Sequence, residues 1–482
     1  MSIKRLGIVV VGASGDLAQR KVIPALFALY CQGYLPDDFQ IYGLARTPYD
    51  QEGFRLKIAE NLTCRYTPGE SCAGKSEAFL SHCHYCQGLY SSSDSFLDLF
   101  QLMRSVEGEG LVNRIFYMAI PPTIFMQVAL ALGDSGLVAC GDREEWVRVV
   151  VEKPFGRDRE TSDALVQEMH KVFTEEMTYR IDHYLGKEII QNLMVLRFAN
   201  IIFEPLWNRN FIQSVRIRWA EPVGVEQRGG YFDGFGIIRD VMQNHLLQIL
   251  ALLAMDPPAN LEAGPVRDAK VKLLRDVLPV SMNDLVVGQY GASESGRQPA
   301  YTAEAMVSPR SLTPTYAAAE LRINNPRWEG VPFLMEAGKA LDERINEVRI
   351  RFHEVPHGLF DRWGAMMQAN ELVIRIQPDE AISFKIMNKA PGLDLELIRT
   401  ELNLRYQSAF KALIPDAYEC LLLDVIQGDR NLFIRSDELA AAWDVFTPAL
   451  HQLESGHVVP ERYPYGSSGP AAGKALMARH GR

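Results

Sequence analysis

The feature that most limits the possible folds of this chain is a short apolar run followed at once by a glycine-rich turn. Residues 6–11 are apolar and mostly β-branched, Gly12 and Gly15 follow, and an amphipathic segment continues to about Tyr30. This order predicts a buried strand, a tight turn and a helix. Glycines in such a turn let backbone N–H groups and a helix N-terminus approach a pyrophosphate. The spacing differs from Gly-x-Gly-x-x-Gly, so an ordinary strand-to-helix turn stays open as an alternative.

Similar apolar runs recur through the first part of the chain. Residues 39–44, 113–120 and 146–151 predict further buried strands, with helical segments between them. Strands that alternate with helices are typical of a doubly wound parallel sheet, which binds ligands at the carboxyl ends of its strands. We therefore predict a Rossmann-like α/β domain over residues 1–180.

The pattern changes in the second part of the chain. Residues 215–221, 347–352 and 372–377 alternate apolar and polar side chains. Such alternation predicts half-buried strands of an antiparallel sheet with one polar face. We predict a larger α+β domain over residues 181–482, with a mainly antiparallel sheet. Because a broad exposed sheet of this kind often pairs with a second copy, we also predict a homodimer or homotetramer.

Composition excludes several classes of partner. The formal net charge of −10 and the pI near 5.6 argue against nucleic-acid binding, because a polyanion needs a basic face. Any anionic ligand must then be held by local groups of cations. No run approaches the roughly 18 apolar residues of a membrane span, and no signal-peptide hydrophobic region precedes the first strand. We predict a cytoplasmic protein without a membrane or nucleic-acid partner.

The cysteines are scattered, and one group of them has a spacing that is also found in zinc sites. Seven cysteines are scattered along the chain, which predicts reduced thiols rather than a disulfide framework. Residues 82–86 combine Cys-x-x-Cys spacing with histidines, a pattern that Cys64 or Cys72 would complete as a zinc site. A second well-spaced ligand pair is missing, so we predict no metal site.

A dense group of reactive side chains occupies residues 180–188, with two cations, an imidazole, a phenol and two carboxylates. Apolar residues at helical spacing follow, so a helix should begin near Lys187. Beside the free N–H groups of that terminus, His183, Tyr184 and Lys187 would bind a phosphate, while Asp182 would orient a distant histidine. A polar turn between domains with surface charges is the open alternative.

Residues 182–187, Asp-His-Tyr-Leu-Gly-Lys, resemble the signature of glucose-6-phosphate dehydrogenases. Residues 12–18, 152–156 and 239–245 also match that family, and the similarity runs from near the N-terminus to the tail. The resemblance implies oxidation of glucose 6-phosphate at C1 to 6-phosphogluconolactone with NADP, the first step of the pentose phosphate pathway. Glu-Lys-Pro at 152–154 also occurs in other NADP-dependent sugar oxidoreductases, so it supports sugar oxidation more than phosphate selectivity.

The candidate general base is His245. Residues 237–250 predict a helix whose apolar stripe is interrupted by this histidine. A lone histidine in such a stripe is more often a core residue, but the resemblance implies that it removes the C1 hydroxyl proton. Asp182 would orient the ring and stabilise its charged form. An imidazole can accept a hydroxyl proton near neutral pH.

The resemblance further implies a set of binding residues. For the sugar phosphate it implies His183, Tyr184, Lys187, Lys339 and Arg344 around the phosphate, and Lys153, Glu221, Asp240 and Gln377 around the hydroxyls. For the cofactor it implies Gly12, Ala13, Ser14, Gly15, Asp16, Leu17, Lys21, Arg46 and Lys153.

Cofactor preference is predicted from the end of the second strand. Arg46 stands where NAD-selective folds carry a carboxylate, and an arginine there can bind the 2′-phosphate of NADP through charge-assisted hydrogen bonds. Some family members bind a second, structural NADP. Ile345 and Ser383 replace the lysine and tyrosine that would help to hold it, so we do not predict that site.

Two rival functions remain from the sequence. One is an NADP-dependent oxidoreductase for an unphosphorylated sugar, which the Glu-Lys-Pro motif supports and the cations at 183–187 oppose. The other is a non-catalytic nucleotide-sensing protein, which the presence of both Asp182 and His245 opposes.

Overall fold

A computed structural model of the chain describes residues 4–66, 71–138, 145–355, 360, 367–410 and 413–480. Two sheets organise these residues, one in each part of the chain. No helix within the described ranges is long and apolar enough to cross a bilayer. The division of the chain at residue 180 stays a prediction.

The first sheet has six strands in the order β3-β2-β1-β4-β5-β6, and every neighbouring pair is parallel. Its strands are β1 (Arg5–Val11), β2 (Asp38–Ala45), β3 (Cys83–Gln87), β4 (Asn113–Met118), β5 (Val147–Glu152) and β6 (Thr178–Ile181). Its helices are α1 (Ile23–Cys31), α2 (Gln51–Ala59), α3 (Ser71–Ser81), α4 (Ser93–Glu107), α5 (Phe125–Asp134) and α6 (Arg159–His170), and a π-helical turn at Ala18–Val22 leads into α1. The predicted Rossmann-like fold is confirmed.

The second sheet has nine strands in the order β14-β13-β12-β11-β7-β10-β9-β8-β15. Its strands are β7 (Ile212–Ala220), β8 (Leu285–Ser293), β9 (Tyr316–Leu321), β10 (Phe333–Gly338), β11 (Ile345–Phe352), β12 (Glu371–Gln377), β13 (Ala381–Lys389), β14 (Leu397–Arg405) and β15 (Glu461–Tyr465). Only the β7–β10 and β8–β15 pairs are parallel among these described strands. The predicted, mainly antiparallel sheet is confirmed.

Helices cover this second sheet and its border with the first. They are α7 (Glu188–Phe198), α8 (Gly229–Ile237), α9 (Leu247–Ala254), α10 (Ala263–Asp276), α11 (Tyr406–Phe410), α12 (Ala417–Gln427), α13 (Ser436–Ser455) and α14 (Ala471–Ala478). Short 3₁₀ turns occur at Pro122–Ile124, Glu204–Leu206, Glu226–Arg228, Met282–Asp284 and Tyr301–Ala303.

The helix that carries His245 differs from its prediction. Ile238–Leu246 is a π-helical segment between α8 and α9, and every residue in it is buried. It packs against both β10 and α13, so no side of it faces solvent. The segment is helical as expected, but its turns are π rather than α, a form that often occurs at functional sites.

The prediction of reduced thiols stays a prediction. Cys64 and Cys72 lie close together, with their Cα atoms 5.8 Å apart. Cys83 and Cys86 are free, and their separation of three residues in β3 directs the two thiols to opposite faces of the sheet. That geometry gives the zinc alternative no support. Cys31 and Cys420 are also free, while Cys140 lies outside the described residues.

A buried ion pair joins two helices behind the π-helical segment. Lys270 of α10 and Glu438 of α13 are both fully buried, and Nζ lies 2.7 Å from Oε1. The same helix α13 holds the turn after β5, since Trp443 Nε1 donates to the carbonyl oxygen of Phe155 at 3.0 Å. The position of α13 therefore influences the backbone beside Lys153.

Removing one partner of this pair should destabilise the protein strongly. Glu438→Ala leaves an ammonium group buried without a counter-charge, so the free energy of unfolding should fall by about 3–5 kcal/mol. Urea denaturation followed by circular dichroism measures the change. The double variant Lys270→Met, Glu438→Leu removes both charges and should recover most of the loss. If the double variant is as unstable as the single one, the charge explanation fails.

Candidate active site

The glycine turn after β1 has the tight geometry that a pyrophosphate site requires. Gly12 has φ +91°, and a Cβ there would lie 2.3 Å from the carbonyl oxygen of Ala119. Gly15 N donates to the Gly12 carbonyl at 2.8 Å, and the helix begins directly afterwards. The described backbone thus fits a dinucleotide approaching along the carboxyl end of the parallel sheet. The structure places Ala13, Ser14, Asp16 and Leu17 in this turn and the first turn of the helix.

Arg46 and Lys21, two further residues predicted to bind the cofactor, lie in different places. Arg46 follows β2, is exposed, and its guanidinium lies 5.4 Å from the ring centre of Tyr90. Thr47 beside it donates a hydrogen bond to Ser14 Oγ at 2.9 Å, so the end of β2 is tied to the glycine turn. Lys21 instead lines the neighbouring pocket that holds His245.

Asp182 and His245 form a direct hydrogen bond in the interior. Asp182 follows β6, and its Oδ1 lies 2.5 Å from His245 Nδ1 and accepts from Tyr184 N at 2.9 Å. Asp182 is 1% exposed and His245 is 4% exposed. The fold therefore joins the end of the parallel sheet to the π-helical segment, as the sequence predicted.

The protonation states of this pair follow from burial and mutual charge. Burial opposes ionisation of Asp182, but His245 and the hydrogen bonds hold the pKa of this carboxyl well below its usual range. Burial lowers the pKa of His245, although Asp182 acts in the opposite direction. At neutral pH an ionised Asp182 can only accept, so the proton of the neutral imidazole lies on Nδ1. Nε2 is then an unprotonated acceptor.

A cavity of about 510 Å³ lies over this pair. Its size is within the usual range of small-molecule sites. The structure brings together nearly all of the predicted substrate residues on its wall: Lys153, His183, Tyr184, Lys187, Glu221, Asp240, His245, Lys339 and Gln377. Their predicted roles stay predictions, but one sugar-sized space does join them.

Lysines and carboxylates alternate along the wall of the cavity. Lys153 Nζ lies 2.7 Å from the carbonyl oxygen of Asp240 and 3.2 Å from its Oδ1, and Lys339 Nζ lies 3.0 Å from Glu221 Oε2. Burial would raise the pKa of Asp240, but Lys153 and other cations lower it to about 2. Sugar hydroxyls both donate and accept, so a wall of alternating donors and acceptors suits them.

The residues predicted to bind the phosphate differ in their charge and in their position on the backbone. Burial, His245 and the neighbouring lysines hold the pKa of His183 well below its ordinary value, so its ring is neutral and can donate an N–H. Lys187 is the N-cap residue of α7, and burial lowers the pKa of its ammonium. Gly186 lets this turn approach α12, because a Cβ there would lie 2.4 Å from the carbonyl oxygen of Ala417.

Two predicted phosphate residues are placed differently from the others. The Tyr184 hydroxyl accepts from Trp219 Nε1 at 2.8 Å and from Asn346 Nδ2 at 2.9 Å, while its ring stacks on His245 with centres 4.1 Å apart. Phosphate binding by this hydroxyl stays a prediction. The structure does not bring Arg344 into the cavity. The turn before β11 buries Leu341 and leaves Arg344 exposed outside the cavity wall.

Sequence reasoning missed several residues of the cavity wall, namely Arg228, Glu380, Asp416 and Tyr418. Asp416 accepts a hydrogen bond from Tyr418 N at 3.0 Å and so caps α12, a helix start that the sequence pattern could have indicated. Its meeting with Lys21, from which it is separated by 395 residues, has no local signal.

Known proteins match both halves of the chain. Residues 9–192 match the family described as glucose-6-phosphate dehydrogenase, NAD binding domain, and residues 194–482 match its C-terminal domain. A solved structure of glucose-6-phosphate dehydrogenase in complex with its substrate glucose-6-phosphate has a TM-score of 0.93 and 42% identity, and the match covers 100% of this chain and 99% of that one.

Curated relatives extend this similarity. Glucose-6-phosphate 1-dehydrogenase 1, chloroplastic, of Arabidopsis thaliana is 51% identical over 98% of this chain and 83% of the relative. Inactive glucose-6-phosphate 1-dehydrogenase 4, chloroplastic, of the same plant is 43% identical over 99% of this chain and 75% of the relative. Overall similarity alone therefore does not separate active from inactive relatives, and the geometry of the site must do so.

The predicted cytoplasmic location is contradicted by these relatives. The plant relatives of 50–51% identity are named as chloroplastic proteins rather than cytoplasmic ones. The match to the nucleotide-binding family, together with the glycine turn, assigns a nicotinamide cofactor to the parallel-sheet domain. Since the two family matches together span almost the whole sequence, the chain belongs to the glucose-6-phosphate dehydrogenase family.

Proposed function

We propose that this protein oxidises glucose 6-phosphate at C1 to 6-phosphogluconolactone with NADP, the first step of the pentose phosphate pathway. The observation that carries the proposal is the buried hydrogen bond between Asp182 and His245, which opens onto a cavity bordered by Lys187 and Lys339. A base and a group of cations in one cavity are what oxidation of a phosphorylated sugar requires.

The chemistry at C1 needs a base and a hydride acceptor. His245 accepts the proton of the C1 hydroxyl on Nε2, which is unprotonated at neutral pH. Asp182 holds the Nδ1 proton at 2.5 Å and stabilises the imidazolium that forms. The bound nicotinamide supplies the acceptor for the hydride that leaves C1 as the carbonyl of the lactone forms. The buried position of the pair shields the Asp182 carboxylate from solvent.

Three residues of the cavity wall are proposed to select the phosphate. Lys187 and Lys339 supply positive charge, and the neutral ring of His183 supplies an N–H donor. Hydrogen bonds between charged groups are roughly twice as strong as neutral ones. Lys153, Glu221, Asp240 and Gln377 are left to bind the hydroxyls and to orient C1 toward His245.

NADP, rather than NAD, is the proposed cofactor because of Arg46. Its exposed guanidinium follows β2, where the ribose of a bound dinucleotide lies in this fold. A planar guanidinium can form two parallel hydrogen bonds to a phosphate group.

We also propose a homo-oligomer built on the outer part of the second sheet. The edge strand β14 exposes Ile398, Leu402 and Leu404, the second of these by 60% of its surface. Apolar side chains on an exposed edge strand are a liability unless another chain covers them.

Turnover of glucose 6-phosphate compared with turnover of glucose distinguishes the proposed function from the two alternative functions. NADPH formation should proceed with glucose 6-phosphate, with kcat/KM about a thousandfold higher than with glucose, because two or three charge-assisted contacts are lost. Equal rates on the two sugars would favour the oxidoreductase for unphosphorylated sugars. Absence of turnover with both sugars would favour the non-catalytic alternative, which the inactive relative makes worth testing.

Replacing the base should abolish turnover and spare binding. His245→Asn keeps a polar side chain of similar size but cannot take the C1 proton, so kcat should fall by about 10²- to 10⁴-fold. The dissociation constant for glucose 6-phosphate, measured by titration calorimetry, should change by less than a few fold. Near-normal turnover of this variant would remove His245 from the mechanism.

Reversing the charge after β2 should change cofactor preference. Arg46→Asp places a carboxylate where the 2′-phosphate of NADP would lie, so the KM for NADP should rise at least tenfold. The KM for NAD, which has a free ribose hydroxyl there, is the internal control and should change little. An equal increase for both cofactors would refute the assignment of Arg46.

A further inference from the structure

Two adjacent residues from the first part of the chain hold the start of α12, and they have no part in the chemistry described above. Arg65 and Tyr66 lie between α2 and α3. Arg65 Nη2 lies 3.0 Å from Oε1 of Glu419, in the first turn of α12, and the Tyr66 hydroxyl donates to Oε2 of the same carboxylate at 2.7 Å. The Glu419 side chain is 6% exposed, so a cation and a hydroxyl group hold a buried carboxylate.

Arg65 also contacts the chain just before the helix. Its Nη2 donates to the carbonyl oxygen of Ile414 at 3.0 Å. Ile414 and Glu419 are the residues on either side of residues 415–418, all of which line the cavity. Arg65 therefore holds this short stretch, the 415–418 wall, at both of its ends.

The 415–418 wall packs on the turn that carries the residues predicted to bind the phosphate. A Cβ on Gly186 would lie 2.4 Å from the carbonyl oxygen of Ala417, so the two backbones are in close contact. The ring of Tyr418 lies parallel to that of His183, with an interplanar angle of 8° and centres 6.3 Å apart. A shift of the wall would therefore change the surroundings of this turn.

We propose that Arg65 and Tyr66 are positioning residues for phosphate recognition, which hold the 415–418 wall against the turn that carries His183 and Lys187. The inference rests on the proposed function, because it assigns His183 and Lys187 to the phosphate. Neither Arg65 nor Tyr66 is among the described residues of the cavity wall, so each acts on a ligand through the wall that it holds.

Another contact at this end of α12 is more exposed than the one that Arg65 makes. Asp416 and Lys21 form an ion pair of 3.2 Å, and their side chains are 35% and 50% exposed. Exposed pairs contribute little stability, because water and salt screen them. The buried carboxylate of Glu419 loses much more when its cation is removed, since it has no access to water in exchange.

The expected consequence is a loss that depends on the phosphate. Without the contacts of Arg65, the 415–418 wall is free to move away from Gly186, and the groups that bind the phosphate lose their fixed positions. The hydrogen bond between Asp182 and His245 is made by other elements and stays in place. Binding of the sugar phosphate should weaken, while the chemistry at C1 should change little.

The first test removes the two contacts one at a time. Arg65→Met should raise the KM and the calorimetric dissociation constant for glucose 6-phosphate about tenfold, with kcat within about twofold, because displaced binding groups lose affinity. Tyr66→Phe removes one neutral donor, so it should raise both constants about threefold. The kcat/KM for unphosphorylated glucose should stay within about twofold of wild type in both variants, because glucose lacks the phosphate.

Arg148→Met is the matched control, because Arg148 holds the same helix at its other end. Its Nη1 donates to the carbonyl oxygens of Val425 and Ile426 at 2.6 and 2.8 Å. The helix has 11 residues, so this end lies about 16 Å from the cavity. The variant should lose stability in urea, but its dissociation constant for glucose 6-phosphate should stay within about twofold of wild type.

A double variant separates the lost contact from the effect of an unpaired charge. Arg65→Met leaves the Glu419 carboxylate buried without its cation, which destabilises the protein by itself. Arg65→Met with Glu419→Gln removes that charge but does not restore the contact. The double variant should therefore regain stability in urea, while its dissociation constant for glucose 6-phosphate stays about tenfold above wild type. If Arg65→Met fails to fold, the double variant and Tyr66→Phe carry the test.

Four outcomes would overturn the inference. They are normal affinity for glucose 6-phosphate in the variants of Arg65 and Tyr66, an equal loss in Arg148→Met, an equal loss of kcat/KM with glucose, or restored affinity in the double variant. Absence of turnover in the wild-type protein would reject the proposed function instead. The calorimetric comparison of the variants, repeated with inorganic phosphate as the ligand, would still test the roles of Arg65 and Tyr66.

Discussion

The hydrogen bond between Asp182 and His245 depends on the meeting of the two parts of the chain. The carboxylate follows the last strand of the parallel sheet, and the imidazole lies on a π-helical segment packed against the second sheet. A buried carboxylate without a partner would cost several kcal/mol. The pair therefore stabilises the contact between the parts, and that contact in turn sets the protonation states on which the chemistry depends.

The same rule of paired charges extends over the cavity wall. Lys153 pairs with Asp240, and Lys339 pairs with Glu221, so each of these two lysines lies beside an acceptor. These pairs resolve an apparent conflict in the composition. A chain with a net charge of −10 can bind an anionic sugar phosphate because a few lysines converge at one place in the fold. Local arrangement, rather than total charge, decides the affinity for the phosphate.

Sequence patterns predicted the strands better than the details of the site. The apolar run before Gly12 became β1, and the alternating residues at 347–352 lie within β11. The π-helical segment was not foreseen, since α and π turns share one local sequence pattern and packing selects between them. Exposure of Arg344 depends on which neighbour in its turn is buried.

The sequence by itself determined the chemical groups and their local order. The strand, glycine turn and helix, and the helix start at Lys187, follow from interactions between near neighbours, and the short motifs carried the family resemblance. Only the tertiary structure decided which distant groups meet. The ring of Tyr418 lies parallel to that of His183, and the Tyr184 hydroxyl accepts hydrogen bonds from Trp219 and Asn346. Such meetings depend on the packing of whole helices and sheets, which no local pattern records.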